Sequence, residues 1–278
     1  MHDEQERLKL IMIGDVVGEP GLSVLEAELP ALIQKMSADF VVVNGENAAE
    51  GFGLTMTAFE RIRAAGADVV TSGNHIWEKR EFWSVLDTEQ TILRPANYPP
   101  GTPGHGFIIL EKNGMRWFII NLQGRELMTP IDCPFKSFDS IFSAFADREH
   151  EPSTPDGQIA PDCIVAVDFH AETSREKEAL GFYLDGRASV VVGTHTHVQT
   201  TDEKILPKGT AYLSDLGMTG VTDSIIGMNT DICIQRERTQ IAYRMECATG
   251  PATINGLTVE INRKTKKIMS LQCLYNIV

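Results

Sequence analysis

Eight polar residues of this 278-residue chain fall where chemistry can be done. They are Asp15, Glu46, Asn47, Asn74, His75, His170, His195 and His197. Each follows a short apolar run with the character of a strand: LKLIMI before Gly14-Asp15, FVVV before Asn44-Gly45-Glu46-Asn47, DVVT before Gly73-Asn74-His75, CIVAVDF before His170, and SVVV before Gly193-Thr194-His195-Thr196-His197. A single Asp or His after a strand is commonly structural. Five runs closing on a metal-competent or acid/base side chain are harder to explain that way. Open α/β sheets build their sites at the carboxyl ends of strands, so neighbouring strands would bring all eight residues to one rim. His195 and His197 are two apart, and on an extended segment such residues point to the same side. The spacing therefore predicts two imidazoles facing one site. Gly73 and Gly193 beside these residues permit sharp backbone turns.

The charge of the set is informative. Asp15 and Glu46 are anionic, whereas the asparagines and histidines are neutral donors. Two divalent metals with a bridging hydroxide would leave about one net positive charge, once the ions themselves are counted. That suits an anionic phosphate ester. A mixed nitrogen and oxygen set fits Fe, Mn or Zn better than Mg or Ca, which favour all-oxygen shells.

The elements that must position these residues alternate. Strands are predicted over 8–13, 40–43, 68–71, 163–169 and 189–192. Helices are predicted over 20–36 (interrupted at Pro30), 57–65, 78–86, 137–146 and 174–184. Such βαβ alternation implies a parallel sheet covered by helices. Segments 107–111 and 115–121 flank Asn113-Gly114, a strong hairpin signal, so antiparallel strands are expected as well. The last eighty residues read as hairpins with one short helix around 231–238, and 148–161 reads as a surface loop. The expected architecture is one mixed α/β domain, residues 1–278, with two packed sheets.

Composition excludes several classes. The formal net charge of −13 gives no basic face for duplex nucleic acid. The basic cluster Arg263-Lys264-Thr265-Lys266-Lys267 reads as a hairpin turn. No apolar run approaches the roughly 20 residues of a membrane span, and the charged MHDEQERLKL start does not read as a signal peptide. The five cysteines are scattered, odd in number and never in a CxxC pair. Buried inert thiols in a reducing cytoplasm are expected. His2, His105 and His150 read as surface residues, and Ser72 and Ser214 lack a nucleophile-elbow context. The Gly14, Gly18 and Gly21 spacing does not match a dinucleotide fingerprint. Trp77 and Trp83 read as packing residues for the helix after Asn74-His75, with substrate stacking as the other reading.

The stretches GDVVG, NGENAAEGFGLT, GNHIW, LRPANYP, INLQGR, DFHAE, DGRASVVVGTHTHVQT, ILPKGTAY and GMTG carry a resemblance. The chain resembles the YmdB-like bacterial branch of the calcineurin-like metallophosphoesterases, from about Leu8 to the C-terminus. The long GTHTHVQT block is the specific part. The resemblance implies a four-layer α/β/β/α sandwich and a dinuclear centre of two metal ions, Fe or Mn first and Zn next. One ion would take Asp15, Asn47 and His197, and the other Asn74, His170 and His195. Glu46 would bridge them and His75 would donate a proton. In the wider superfamily a histidine stands where this chain has Val17, and an aspartate where it has Glu46; both departures belong to the branch. The activity implied is phosphodiesterase or phosphatase, with small phosphoesters such as 2′,3′-cyclic nucleotides as substrates. Arg94, Arg125 and Arg187 are the candidate cations for a dianionic monoester. The alternatives are a broad phosphomonoesterase and a metal-binding regulatory protein with little turnover. The sequence leaves the oligomeric state open, a homo-oligomer included.

Overall fold

The computed structural model describes residues 6–148 and 163–278, with side chains described up to 145 and again from 163. The loop expected at 148–161 lies almost wholly outside the described residues, as do His2 and His150.

The first sheet contains β1 (Arg7–Ile13), β2 (Asp15–Val16), β3 (Phe40–Asn44), β4 (Val69–Thr71), β11 (Met218–Val221), β12 (Ala252–Asn262) and β13 (Ile268–Ile277). Its order is β2-β11-β12-β1-β3-β4, with β13 beside β12. The second contains β5 (Phe107–Lys112), β6 (Met115–Gln123), β7 (Cys163–His170), β8 (Val190–Thr194), β9 (Lys204–Ile205) and β10 (Ala211–Leu213), ordered β5-β6-β7-β8-β10-β9. Both are mixed. Strands β1, β3 and β4 run parallel, as do β6, β7, β8 and β10, while β12 and β5 pair antiparallel to their neighbours.

Strand alternation builds the layers. On β1, Leu8, Leu10 and Met12 point between the sheets, where they join Phe40, Val42, Trp117, Ile119, Ala166, Val190 and Leu257. Ile11 and Ile13 point the other way, onto Leu22, Leu25 and Leu29 of α1 (Gly18–Met36) and Phe59 and Ile62 of α2 (Met56–Ala64). The outer face of the second sheet packs on α4 (Pro134–Arg148) and α5 (Ser174–Leu184) through Phe138, Phe142, Leu180 and Leu184. The order α/β/β/α follows. Strands covered on both faces need apolar side chains at both parities, which is why they read as unbroken apolar runs. Phe40 and Trp117 stack across the sheets with centroids 4.7 Å apart.

Local expectations are met with small differences. Asn113 and Gly114 take φ of 55° and 66°, as a tight hairpin requires. Arg263 to Lys267 form the turn between β12 and β13. Pro30 does not interrupt α1, whose 19 residues run through it; the buried stripe of Leu22, Leu25, Leu29 and Leu32 outweighs the one backbone bond a proline removes. The helix expected over 78–86 starts later. Turns occupy 74–77, a 3-10 turn spans Arg80–Phe82, and α3 is Trp83–Thr88, because Lys79 before the 3-10 turn is extended (φ −104°, ψ 96°). A last helix, α6 (Thr230–Thr239), sits in the excursion between β11 and β12. Among the described residues no helix is long and apolar enough to cross a membrane. All five cysteines are free.

The turn after β1 is fixed by close backbone approach. A Cβ on Gly14 would lie 1.9 Å from the carbonyl oxygen of Gly217. Gly14→Ala must push β1 away from the segment before β11, an overpacking cost of about 2 kcal/mol or more. For a chain of this size that is a fall in melting midpoint of roughly 5 °C, readable by differential scanning calorimetry. An unchanged midpoint would show that the turn yields.

Candidate metal centre

The eight singled-out residues come together, and the two packed sheets share them. Asp15, Glu46-Asn47 and Asn74-His75 follow β1, β3 and β4 of the first sheet, His170 ends β7 of the second, and His195 to His197 follow its β8. The parallel strands of both sheets end at the same edge, and the site is the seam between them.

Its centre is densely polar. His170 Nε2 lies 3.0 Å from Glu46 Oε1, 3.1 Å from Asn74 Oδ1 and 2.9 Å from His195 Nδ1. Asn47 Nδ2 reaches Glu46 Oε1 at 3.2 Å and His197 Nε2 at 3.1 Å. Asp15 Oδ2 accepts from the His195 backbone N–H at 3.2 Å, and its Oδ1 stands 3.8 Å from His170 Nδ1. Glu46, His170 and His195 place one ligand atom each within 4.8 Å of one another. His75 belongs to the rim. Its backbone N–H donates to Glu46 Oε2 at 3.2 Å, while its ring turns outward, edge-on to Phe52 at 5.0 Å, with Nδ1 3.5 Å from Glu78 Oε1. Adjacent residues diverge, as expected of Asn74 and His75.

The extended geometry expected of the H-x-H pair is corrected, although both rings still reach the cluster. β8 ends at Thr194, and His195 and His197 both take positive φ, 99° and 64°. The segment is sharply bent, so the rings do not lie side by side as on a strand. His195 goes to His170, and His197 goes to Asn47. The bend is held from behind: Asp215 accepts from the Thr196 hydroxyl and backbone N–H, and its buried charge is met by Lys177 at 2.6 Å.

Burial governs the charges. It pushes the Asp15 carboxyl up to about 6, against the pull of His197 and His170. Burial is also the largest influence on Glu46, but the charge and hydrogen bond of His170, with His75 and His195 behind them, prevail and hold it at about 2. Burial opposes charge on His170; Glu46, Asp15 and Asp168 overcome it and bring that ring to about 9. His195, half-buried beside His170, falls to about 3, through desolvation first and the His170 charge next.

The donor set fits metal ions. Asp15 Oδ1 is buried without a hydrogen-bond partner, a costly arrangement for a carboxylate unless a cation meets it. Each histidine has one nitrogen turned inward and the other anchored outward: His170 Nδ1 on the Thr194 hydroxyl at 3.0 Å, His195 Nε2 on Glu172 at 3.1 Å, and His197 Nδ1 on the Ile226 carbonyl at 2.8 Å. Such outer contacts are the rule for ligating imidazoles. Sequence reasoning missed Thr194, Glu172, Ile226 and the buried Asp168 behind them. Thr194 and Glu172 neighbour the histidines in sequence, so proximity hinted at them; nothing in the sequence points to the Ile226 carbonyl.

Residues 11–274 match the family described as YmdB-like protein. The chain belongs to the YmdB-like family. Over 265 residues it is 44% identical to the 2′,3′-cyclic-nucleotide 2′-phosphodiesterase of Bacillus subtilis, covering 95% of this chain and 96% of that protein. The crystal structure of a hypothetical protein from Thermus thermophilus superposes with a TM-score of 0.86 at 38% identity, over 96% of this chain and 98% of that one. The crystal structure of a phosphatase from Mycoplasma pneumoniae also gives 0.86, at 31% identity over 96% and 92%. In this YmdB-like chain Val17 is buried against Met228 and Cys233, so an apolar contact occupies the place of the superfamily histidine.

The remaining candidates are engaged elsewhere. Arg94 donates to the carbonyls of Pro95 and Pro103, and Arg187 pairs with Asp139 and lies over Phe138, Phe142 and Tyr183. Arg125 donates to Cys133 Sγ and, through its backbone, to Glu176. Trp83 donates to the Trp77 carbonyl, and Trp77 packs edge-on to Tyr98. His105 bonds Gln90 at 2.8 Å.

Gly73 gives the most direct test of this packing. A Cβ there would sit 2.2 Å from His170 Cδ2 and 2.3 Å from Glu46 Oε2. Gly73→Ala should displace ring and carboxylate together. Elemental analysis is expected to find at least one equivalent of transition metal lost relative to the unsubstituted chain. Full metal content in the variant would mean that the cluster tolerates a wider spacing.

Proposed function

We propose that this chain, a phosphoric ester hydrolase, is a cytoplasmic phosphodiesterase of small phosphoesters that uses two metal ions, Fe or Mn first and Zn next. The supporting observation is the cluster of buried Asp15, Glu46, Asn47 and His170 with partly buried Asn74, His195 and His197, in which Asp15 Oδ1 has no hydrogen-bond partner. In this reading Asp15, Asn47 and His197 would hold one ion, Asn74, His170 and His195 would hold the other, and Glu46 would serve both. The split follows the contacts, since His197 meets Asn47 whereas His195 and Asn74 meet His170. The relation to the Bacillus subtilis enzyme supports a 2′,3′-cyclic nucleotide such as 2′,3′-cAMP as the substrate class.

Bound metals supply Lewis acidity for activating water and for stabilising charge on phosphoryl oxygens. The chain supplies the rest. The two sheets keep bulk water from the floor of the site, where Asp15, Glu46 and His170 are fully buried. His75 stands on the rim, its ring set by Phe52 and Glu78, and gives a proton to the departing ester oxygen. A diester carries one negative charge and a monoester up to two. Arg94 and Arg187, the cations that would favour a dianion, are committed to carbonyls and to Asp139, which supports diester hydrolysis over the monoesterase reading.

Two measurements follow. With manganese, the chain should hydrolyse bis(p-nitrophenyl) phosphate with a higher kcat/KM than p-nitrophenyl phosphate, and chelation should abolish both activities. A monoester preference would reverse the substrate ranking, and no turnover above a metal-only control would leave a metal-binding regulatory protein. The second concerns His75. Positioned proton transfer contributes typically ~10²–10⁴-fold, but nitrophenolate leaves without a proton. His75→Ala should therefore cut hydrolysis of a 2′,3′-cyclic nucleotide by about that factor, spare the nitrophenyl diester and keep its metal. Equal loss on both substrates would assign His75 another role.

A further inference from the structure

Asp168 lies two residues before His170 on β7, is 1% exposed, and is absent from the inward-facing cluster. Its Oδ1 accepts from the Thr194 hydroxyl at 2.8 Å. Its Oδ2 accepts from Asn44 Nδ2 at 3.0 Å and from the Thr71 hydroxyl at 2.5 Å. Asn44 and Thr71 end strands β3 and β4 of the first sheet, whereas Asp168 and Thr194 belong to β7 and β8 of the second. One carboxylate thus receives donors from both sheets directly beneath the site.

Counting hydrogens gives each contact a direction. A threonine hydroxyl has one hydrogen, and that of Thr194 is spent on Asp168. At 3.0 Å from His170 Nδ1, the Thr194 oxygen is therefore the acceptor and Nδ1 carries the hydrogen. The neutral form of His170 then presents its lone pair at Nε2, the inward nitrogen, as a metal ligand must. The other arm is equally determined. Asn44 gives its amide nitrogen to Asp168, and its Oδ1 accepts the backbone N–H of Glu46 at 3.1 Å. The amide cannot flip without setting oxygen against carboxylate and N–H against N–H.

We propose that Asp168 is a positioning residue: through Thr194 it fixes which nitrogen of His170 faces the metal centre, and through Asn44 it sets where Glu46 enters that centre. The inference rests on the reading of these residues as metal ligands. It assigns Asp168, Asn44, Thr71 and Thr194 one joint role that none has alone, since ligands from both sheets are referred to one buried carboxylate.

The test is metal affinity, measured by calorimetric titration of the chelator-stripped protein with Mn2+. In Asp168→Asn the new NH2 must face either Thr194 or the Asn44 and Thr71 pair. If it faces Thr194, that hydroxyl turns its hydrogen to His170 Nδ1 and forces the ring hydrogen inward. Outer-contact losses of this kind typically cost about 10–100-fold in metal affinity, and that loss is expected for at least one equivalent. Thr194→Val should weaken Mn2+ binding by a similar factor, and Thr194→Ser should restore it. In the zinc-loaded protein, the exchange-protected imidazole N–H resonance that disappears in His170→Ala should also be lost in Thr194→Val. Wild-type affinity for both ions in Asp168→Asn would overturn the proposal. So would Thr194→Val binding as tightly as Thr194→Ser, which is the result of a merely structural role showing only as a lower melting midpoint. If Asp168→Asn does not fold, the two Thr194 variants decide alone. Absence of Mn2+ binding by the unsubstituted chain would overturn the metal-centre reading itself, a distinct outcome.

Discussion

A carboxylate removed from water must be met by opposite charge or by several donors, or its burial costs more than a fold can absorb. Asp15, Glu46 and Asp168 are all essentially inaccessible at one end of this molecule, and the surrounding structure is arranged around that constraint. Asp168 is met entirely by protein donors, three of them from strands of both sheets. Glu46 is met by His170, by the Asn47 amide and by the backbone N–H of His75. Asp15 receives one backbone N–H and keeps one oxygen without a hydrogen bond. Protein donors thus satisfy Asp168 and Glu46, whereas Asp15 Oδ1 is left with no hydrogen bond and is open to an external cation.

The same constraint explains the small residues of the site. Gly73 and Gly14 are not there for freedom of φ. They are there because His170, Glu46 and the Gly217 backbone come within about 2 Å of where a Cβ would be. His195 and His197 show the opposite arrangement, in which bulky residues are held at positive φ. That conformation costs of order 1–3 kcal/mol at each position and persists only when its surroundings over-determine it. The Asp215 and Lys177 pair behind Thr196 and the Ile226 carbonyl on His197 supply that determination. A close-packed floor and a strained, well-anchored loop together give a site whose donors are placed before any ligand arrives. Preorganisation of this kind is what electrostatic catalysis needs.

The two-sheet architecture makes such a site available at low cost. Each sheet brings its own parallel strands to the shared edge: β1, β3 and β4 from one, β7 and β8 from the other. A single sheet would present its ligands along a line. Two sheets face to face close a pocket around them, and the apolar layer between the sheets, from Phe40 and Trp117 to Val190 and Leu257, fixes the distance across it.

Much of this was legible in the chain itself. Apolar runs of strand length, helical spacing between them and the Asn113-Gly114 turn are local signals, and they determined the elements. The eight chemical residues were legible because each closes such a run, and the GTHTHVQT block identified the branch. What the tertiary structure decided is everything that depends on contacts between distant segments. Two packed sheets were expected, but periodicity could not say which strands belong to which. The extended-strand rule failed for His195 and His197, because Asp215 and Ile226, remote in sequence, bend that loop and separate the rings. Pro30 was overruled by a buried leucine stripe that only packing reveals. Asp168 looked like an ordinary strand residue, since its importance lies in Asn44, Thr71 and Thr194, the last 26 and the first 124 positions away. Sequence spacing records what the backbone does locally; which nitrogen, which oxygen and which partner face the centre is settled by long-range hydrogen bonds, and these exist only after the sheets have packed.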